Sequence, residues 1–377
     1  MDSLSPPAGP SAEARAVMLL ERLPRVGPVT VQRLIATFGS AERAVTAPDA
    51  EFAAVAGSAS ARARRDPSIR DAVSRTLDEC VSQGVDIVSL GSRAYPAALL
   101  HLADPPPTLY LRGPLSLPRG TGVAVVGSRR STATGRKVAQ ELAAGLAREG
   151  IPVVSGIALG IDGAAHRGAL AVAGPTVAVL GCGTDRPYPR AHARLFAEIA
   201  REGLLVSEFP PGTDPAPHHF PRRNRIIAAL SRAVVVVEAG ERSGALITVD
   251  HALDLGLDVF ACPGREGDPV SEGCRRLIRD GARAVGSVAE LLDQLGGDLR
   301  VATPADGAPG VRPAGVAGRV FEALDAAGVS ADEVARRSGM GVGPTLAALS
   351  TLEAGGWVRR GPGMRFAVVR TSGSARA

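Results

Sequence analysis

Six short blocks carry the residues whose types and spacing could do chemistry. The first, Gly127-Ser128-Arg129-Arg130-Ser131, follows an apolar run at 123–126 and leads into a helix pattern from about Thr134-Gly135. Backbone amides, two hydroxyls and two guanidinium groups at a helix start suit a phosphate. The plainer alternative is an ordinary strand-to-helix turn with solvated arginines. The spacing is not Gly-x-Gly-x-x-Gly, and Lys137, the only lysine, is misplaced for a Walker loop, so neither nucleotide fingerprint is present.

The second block runs from Ser155-Gly156 through Gly160-Ile161-Asp162 to His166. Its glycines permit close backbone approach to a ligand, and Asp162 and His166, four apart, share one helix face as a conceivable acid/base pair. The competing reading makes Asp162 a helix-start acceptor and His166 a packed neighbour. The third, Gly181-Cys182-Gly183 to Tyr188-Pro189, offers a ring that could stack on a base; Cys182 has no neighbouring base and makes a poor nucleophile. The fourth, His218-His219-Phe220-Pro221-Arg222-Arg223-Asn224-Arg225, is the densest basic cluster. Its cations beside rings fit a single nucleic-acid strand. A solvated helix start with locally paired arginines is the alternative, but the nearest acids along the chain are Asp214 and Glu238. The fifth block places Ser243-Gly244 near a helix start as a second anion site. The sixth, Pro263-Gly264 with 273–278, reads alone as turn and helix.

Positioning these loops falls to short apolar runs at 123–126, 151–154, 176–180, 204–206, 233–237 and 259–261, separated by helix-length segments. Runs apolar on both faces predict a mainly parallel, doubly wound, Rossmann-like α/β sheet with its ligand at the carboxyl ends of the strands. Ahead of it, helical spacing at 12–79 predicts a small helical domain, and 80–121 adds a strand candidate at 85–90 and a proline-rich approach. Residues 1–11 and 371–377 read as tails and 297–314 as a linker. Residues 315–370 carry a winged-helix pattern, with Ser330 and Glu333 as a capping box, a third helix near 343–354, and strands around 357–358 and 366–369.

The 377 residues allow two or three domains with sizeable cores, and no apolar run approaches a membrane span. The start lacks the basic and apolar regions of a signal peptide, so the cytoplasm is the expected location. Cys80, Cys182, Cys262 and Cys274 are far apart without Cys-x-x-Cys, which predicts reduced core thiols and no metal site. The net charge is +5, yet residues 122–296 hold 20 basic and 19 acidic side chains. Polyanion binding must therefore come from local clustering.

In this order the blocks resemble the DNA-processing protein A family, also called DprA or Smf. The resemblance rests on Gly127-Ser128-Arg129, Ser155-Gly156 with Gly160-Ile161-Asp162 and His166, Tyr188-Pro189, Phe220-Pro221 with Arg223-Asn224-Arg225, and Ser243-Gly244. It implies a homodimeric cytoplasmic protein without cofactor or catalytic residues. Such a protein binds single-stranded DNA without sequence specificity and helps load the RecA recombinase onto it during natural transformation. By the same resemblance Ser128, Arg129, Arg222 and Arg223 map to phosphate contacts, with Asn224 and Arg225 supporting the pocket. Thr134, His192 and Arg275 depart from residues usual in the family. Residues 23–28 look like a helix-hairpin-helix (SAM-like) turn with Arg25 replacing its first glycine, and the winged helix has no cation on 343–353, so its arginines gather at Arg359, Arg360 and Arg365. Two rival readings remain: a nucleotide phosphoribohydrolase-like enzyme using Asp162, His166 and Glu238, and an interaction protein acting through its terminal domains.

Overall fold

A computed structural model describes residues 11–118, 121–295, 315–324 and 329–341, and beyond these residues 345, 348–349, 352, 358–361 and 365–368. The expected tails, the 297–314 linker, most of the third winged-helix helix and the Arg359 and Arg360 side chains lie outside the described residues. Packing separates two units, 1–301 and 302–377.

The first unit opens with six helices: α1 (Ala12–Glu21), α2 (Pro28–Phe38), α3 (Ala41–Thr46), α4 (Asp49–Ala56), α5 (Ser58–Ala63) and α6 (Pro67–Gln83). Their shared core of Val17, Leu20, Leu34, Phe52 and Leu77 also takes in Tyr110 from the sheet. The helices therefore join the sheet within one compact unit. Between α1 and α2 the chain turns through Arg25 at φ 60°, and buried Ser60 donates to the Pro24 carbonyl at 2.7 Å.

The sheet has nine strands in the order β1-β2-β6-β5-β4-β3-β7-β8-β9. An antiparallel edge is formed by β1 (Asp86–Ser89) and β2 (Thr108–Arg112). The parallel body is β3 (Gly122–Val126), β4 (Val153–Ser155), β5 (Thr176–Val179), β6 (Leu204–Ser207), β7 (Ser231–Val236), β8 (Asp258–Ala261) and β9 (Arg283–Ala284). All six apolar runs of the centre are strands here. The structure adds β2, where the sequence reads as a proline-rich approach, and the two-residue β9.

Alternation along β3 explains why its sequence is apolar throughout: Val123 and Val125 enter one core, Ala124 and Val126 the other. The first of these cores is covered by α7 (Ala133–Arg148), α8 (Ile161–Leu170) and α13 (Val288–Gln294), and α9 (Ala193–Glu202) packs on the same face over β5 and β6. The opposite face takes α10 (His219–Ala229), α11 (Leu246–Asp254) and α12 (Glu272–Arg279). From β3 the chain winds outward through β4, β5 and β6, then returns to place β7 on the other side of β3. That reversal opens a crevice at the carboxyl ends of β3 and β7, the usual ligand position in such a Rossmann-like sheet.

The second unit contains α14 (Gly315–Glu322), β10 (Val329–Ser330), α15 (Ala331–Ser338), β11 (Val358–Gly361) and β12 (Arg365–Val368), its strands antiparallel in the order β10-β12-β11. Ser330 Oγ accepts from the Glu333 amide at 3.3 Å, half of the expected capping box. Val320, Val334, Leu349 and Phe366 fill its core.

Candidate nucleic-acid interface

A cavity of about 640 Å³ occupies the β3–β7 crevice. Its floor begins with the loop after β3. The Ser128 amide donates to the Glu238 carbonyl at 2.6 Å, and the Glu238 carboxylate accepts from the Thr132 amide at 2.8 Å and the Thr132 hydroxyl at 2.5 Å. Thr132 Oγ1 in turn accepts from the Gly135 amide at 2.9 Å, capping α7. The start of α7 thus already holds an internal carboxylate, which satisfies the helix's positive end where a nucleotide phosphate would otherwise sit. Ser128, Arg129 and Arg130 are left at the cavity wall, the two arginines exposed.

Glycine is required at 135 for the same reason. A Cβ there would lie 2.1 Å from the Glu238 carboxyl carbon. Gly135→Ala is therefore expected to destabilise the first unit by about 1–3 kcal/mol, the usual range for overpacking, measured by urea denaturation.

Opposite this loop stand α10 and the stretch after β7. Arg129 lies over the Phe220 ring at 5.4 Å from its centroid, and Tyr188 stacks on that same Phe220 ring, with centroids 5.4 Å apart and 27° between planes. Phe220 lines the cavity and Tyr188 is 40% exposed beside it. Arg242, Ser243 and Gly244 close the rim; Asn224 Nδ2 donates to the Gly244 carbonyl at 3.3 Å. Here α11 starts at Leu246 after Ala245, without a side-chain cap, so Ser243 and Gly244 belong to the loop before it.

Beneath the cavity, Arg223 is 4% exposed and donates to the carbonyls of Gly156, at 2.7 Å, and Val179. Burial pushes its guanidinium down to about 10, partly offset by nearby Asp162. A Cβ on Gly156 would fall 2.1 Å from Arg223 Nη2, so glycine makes room for this strut. Asp162 lines the cavity; desolvation raises its carboxyl above the usual range, while Arg223 and the backbone of Ala158 and Gly156 pull it back.

A family model described as DNA recombination-mediator protein A matches residues 86–296, flanked by matches to a DprA-like N-terminal HHH domain over 11–71 and a DprA winged helix domain over 303–364. The chain belongs to the DNA processing protein A family. The putative DNA processing protein DprA of Mycobacterium tuberculosis (strain H37Rv) is 44% identical over 273 residues, covering 71% of this chain and 68% of that protein. DprA of Bacillus subtilis is 39% identical over 222 residues, 59% of this chain and 75% of its own. The X-ray structure of DprA from Streptococcus pneumoniae superposes with TM-score 0.63 at 34% identity, covering 76% of this chain and 99% of that one. A Helicobacter pylori DprA structure, described as giving insight into a single-stranded DNA binding mode, has TM-score 0.51 at 31% identity, covering 56% and 95%.

On this DNA processing protein A scaffold the expected site residues separate into two groups. Gly127, Ser128, Arg129, Asn224, Ser243 and Gly244 line the cavity, and Arg223 reaches it from below. Ser155, Gly156, Arg222 and Arg225 are not among its lining residues. Ser155 is fully buried, its hydroxyl donating to the Val125 carbonyl at 2.7 Å. Arg225 is also enclosed: its side chain is 4% exposed and pairs with Glu208 at 2.8 Å and Asp104 at 3.1 Å. Glu208 also holds Arg222 at 2.8 Å, and Arg222 lies over Phe209 at 5.6 Å. The acid partner that the sequence places no nearer than Asp214 thus comes from the end of β6. Arg130 and Arg242 are cavity residues that the fold supplies in addition.

The proposed acid/base trio does not converge. His166 is buried with Nδ1 2.8 Å from Thr176 Oγ1, and burial drives its imidazole down to about 3, so the ring stays neutral. Glu238 is committed to Thr132. Cys182 donates to the Arg186 carbonyl at 3.2 Å, and burial pushes its thiol up to about 11. All four cysteines are buried and free. Among the described residues no His, Cys, Asp and Glu cluster could hold a metal, and no helix is long and apolar enough to cross a membrane.

Proposed function

We propose that this chain binds single-stranded DNA at the β3–β7 crevice without sequence preference. Acting in the cytoplasm as a homodimer, it helps load the RecA recombinase onto that strand during natural transformation. The observation that carries the binding step is the stack of exposed Arg129, Phe220 and Tyr188 at the cavity. A guanidinium meets phosphate while the rings offer faces to bases, and stacking tolerates any base because each has a π face. Arg130 and Arg242 supply further charge beside it. Family membership and the single-strand binding named for the Helicobacter pylori relative support the same reading.

Arg129→Ala is expected to weaken oligothymidine binding about 10-fold and to lower the salt dependence by about 0.7 in the log–log slope, the loss of one single-strand phosphate contact. Its melting temperature should match that of the parent chain. Unchanged affinity and slope would reject the crevice as the binding site. The loading step is tested separately, by RecA filament assembly on strands coated with single-strand-binding protein. Acceleration by this chain is expected, and none would remove the loading role while leaving DNA binding in place.

A further inference from the structure

Several exposed cations on the outer helices are already paired: Lys137 with Glu141 at 3.8 Å, Arg194 with Glu198 at 3.0 Å, and Arg201 with Glu202 at 2.5 Å. Arg129, Arg130, Arg136 and Arg167 are exposed and take part in no ion pair among the described residues. Their order in space follows from the fold. Arg129 and Arg130 stand at the cavity wall. Arg136, on the first turns of α7, reaches back to donate to the Ser131 carbonyl at 2.7 Å, which sets its guanidinium beside that same loop. One turn further, α7 and α8 meet where a Cβ on Gly168 would lie 2.3 Å from the Gln140 carbonyl oxygen. Arg136 and Gln140 are four apart on one face of α7, and Arg167 adjoins Gly168, so Arg136 and Arg167 flank this crossing. Burial and the Arg136 charge both lower the Arg167 guanidinium's proton affinity, with Glu198 opposing. Beyond Arg167 the surface continues as an open groove of about 860 Å³ between α7, α8 and α9, where Arg148 also stands without an ion-pair partner.

Two exposed guanidinium groups flanking one helix crossing, neither in an ion pair among the described residues, suit an anion. The anion must also be extended, because the row starts at the cavity and runs about 6 Å along α7 from Arg136 to the crossing. We propose that Arg136 and Arg167 form a second phosphate-binding stretch, which takes the part of a single strand that leaves the cavity across α7 and α8. This rests on the single-strand reading of the cavity, and the test separates the two.

The probes are oligothymidines of about 4 and about 12 nucleotides, spanning common single-strand site sizes. Arg136→Gln with Arg167→Gln is expected to weaken the longer probe about 5- to 10-fold and to reduce its salt slope by about 1.4, two phosphate contacts, with the shorter probe unaffected. Arg129→Ala should weaken both lengths. A charge-matched control, Arg33→Gln with Arg70→Gln on α2 and α6, should change neither. Unaltered binding of the longer probe by the Arg136/Arg167 variant overturns the proposal, as does equal weakening of both lengths or an equal loss in the control. If Arg129→Ala also leaves both probes unchanged, the cavity reading itself fails and this one falls with it.

Discussion

Arg225→Ala is expected to cost about 3–5 kcal/mol of stability, the range for breaking a buried ion pair from one side. The Arg225 and Glu208 side chains are only 4% and 2% exposed, and Arg225 also meets Asp104. Alanine removes the cation but leaves a buried carboxylate whose remaining partner, Arg222, is 42% exposed. Glu208 Oε1 has no hydrogen-bond partner, so the site has no spare donor to absorb the loss. Arg129→Ala, at an exposed position, should change stability by less than about 0.5 kcal/mol. Urea denaturation of both variants, with oligothymidine binding measured below the transition, distinguishes their roles. Arg225→Ala should lose stability and keep affinity in its folded fraction; Arg129→Ala should do the reverse. Full stability with lost affinity in Arg225→Ala would make Arg225 a ligand contact and contradict the buried pairing.

Arg129 and Arg225, which the sequence assigns to one basic site, thus have opposite roles, and this was the least legible part of the site. Arg222, Arg223 and Arg225 read as one cationic cluster because their partners are remote: Glu208 at the end of β6, and the Gly156 and Val179 carbonyls at the ends of β4 and β5. Local charge composition records cations but not the acids and carbonyls that topology brings to them. Glu238 is a similar case. Along the chain it is a free carboxylate beside glycines; in the fold it anchors Thr132, 106 residues away. By contrast, the parallel strands were legible because burial on both faces leaves apolar runs. The loops were legible because chain reversal and close approach demand glycine. β2 escaped notice because its apolar centre, Leu109-Tyr110-Leu111, is short and follows three prolines.

On the proposed reading, the Rossmann-like sheet also accounts for a crevice that takes a strand of nucleic acid rather than a dinucleotide. In the nucleotide-binding version, the first helix start faces the ligand's pyrophosphate. Here Glu238 caps that helix start, and the loop projects Arg129 sideways over the Phe220 ring of α10. The helix dipole is satisfied internally, while the outward charge is carried by the exposed side chains of Arg129 and Arg130.

The joint between the helices and the sheet should make stability depend on pH. Glu21 of α1 accepts from Thr108 Oγ1 of β2 at 2.5 Å. Desolvation raises its carboxyl from 4.5 to about 7; Glu208 adds to the rise, while the Thr108 bond, Arg22 and Arg222 oppose it. A carboxyl raised in the folded state prefers its proton there. Its contribution is complete below about 4.5 and is lost as the pH rises through about 7, so above that value the fold carries a disfavoured, partly desolvated charge. Glutamine keeps an oxygen for Thr108 and never ionises. Glu21→Gln is therefore expected to be nearly neutral at about pH 5 and to stabilise the first unit by about 2–3 kcal/mol at about pH 8. Urea denaturation at both pH values checks this. A gain of equal size at both would mean that amide packing, rather than relief of charge, is responsible; a loss at about pH 8 would mean that the ionised carboxylate is stabilised by Arg22 and Arg222.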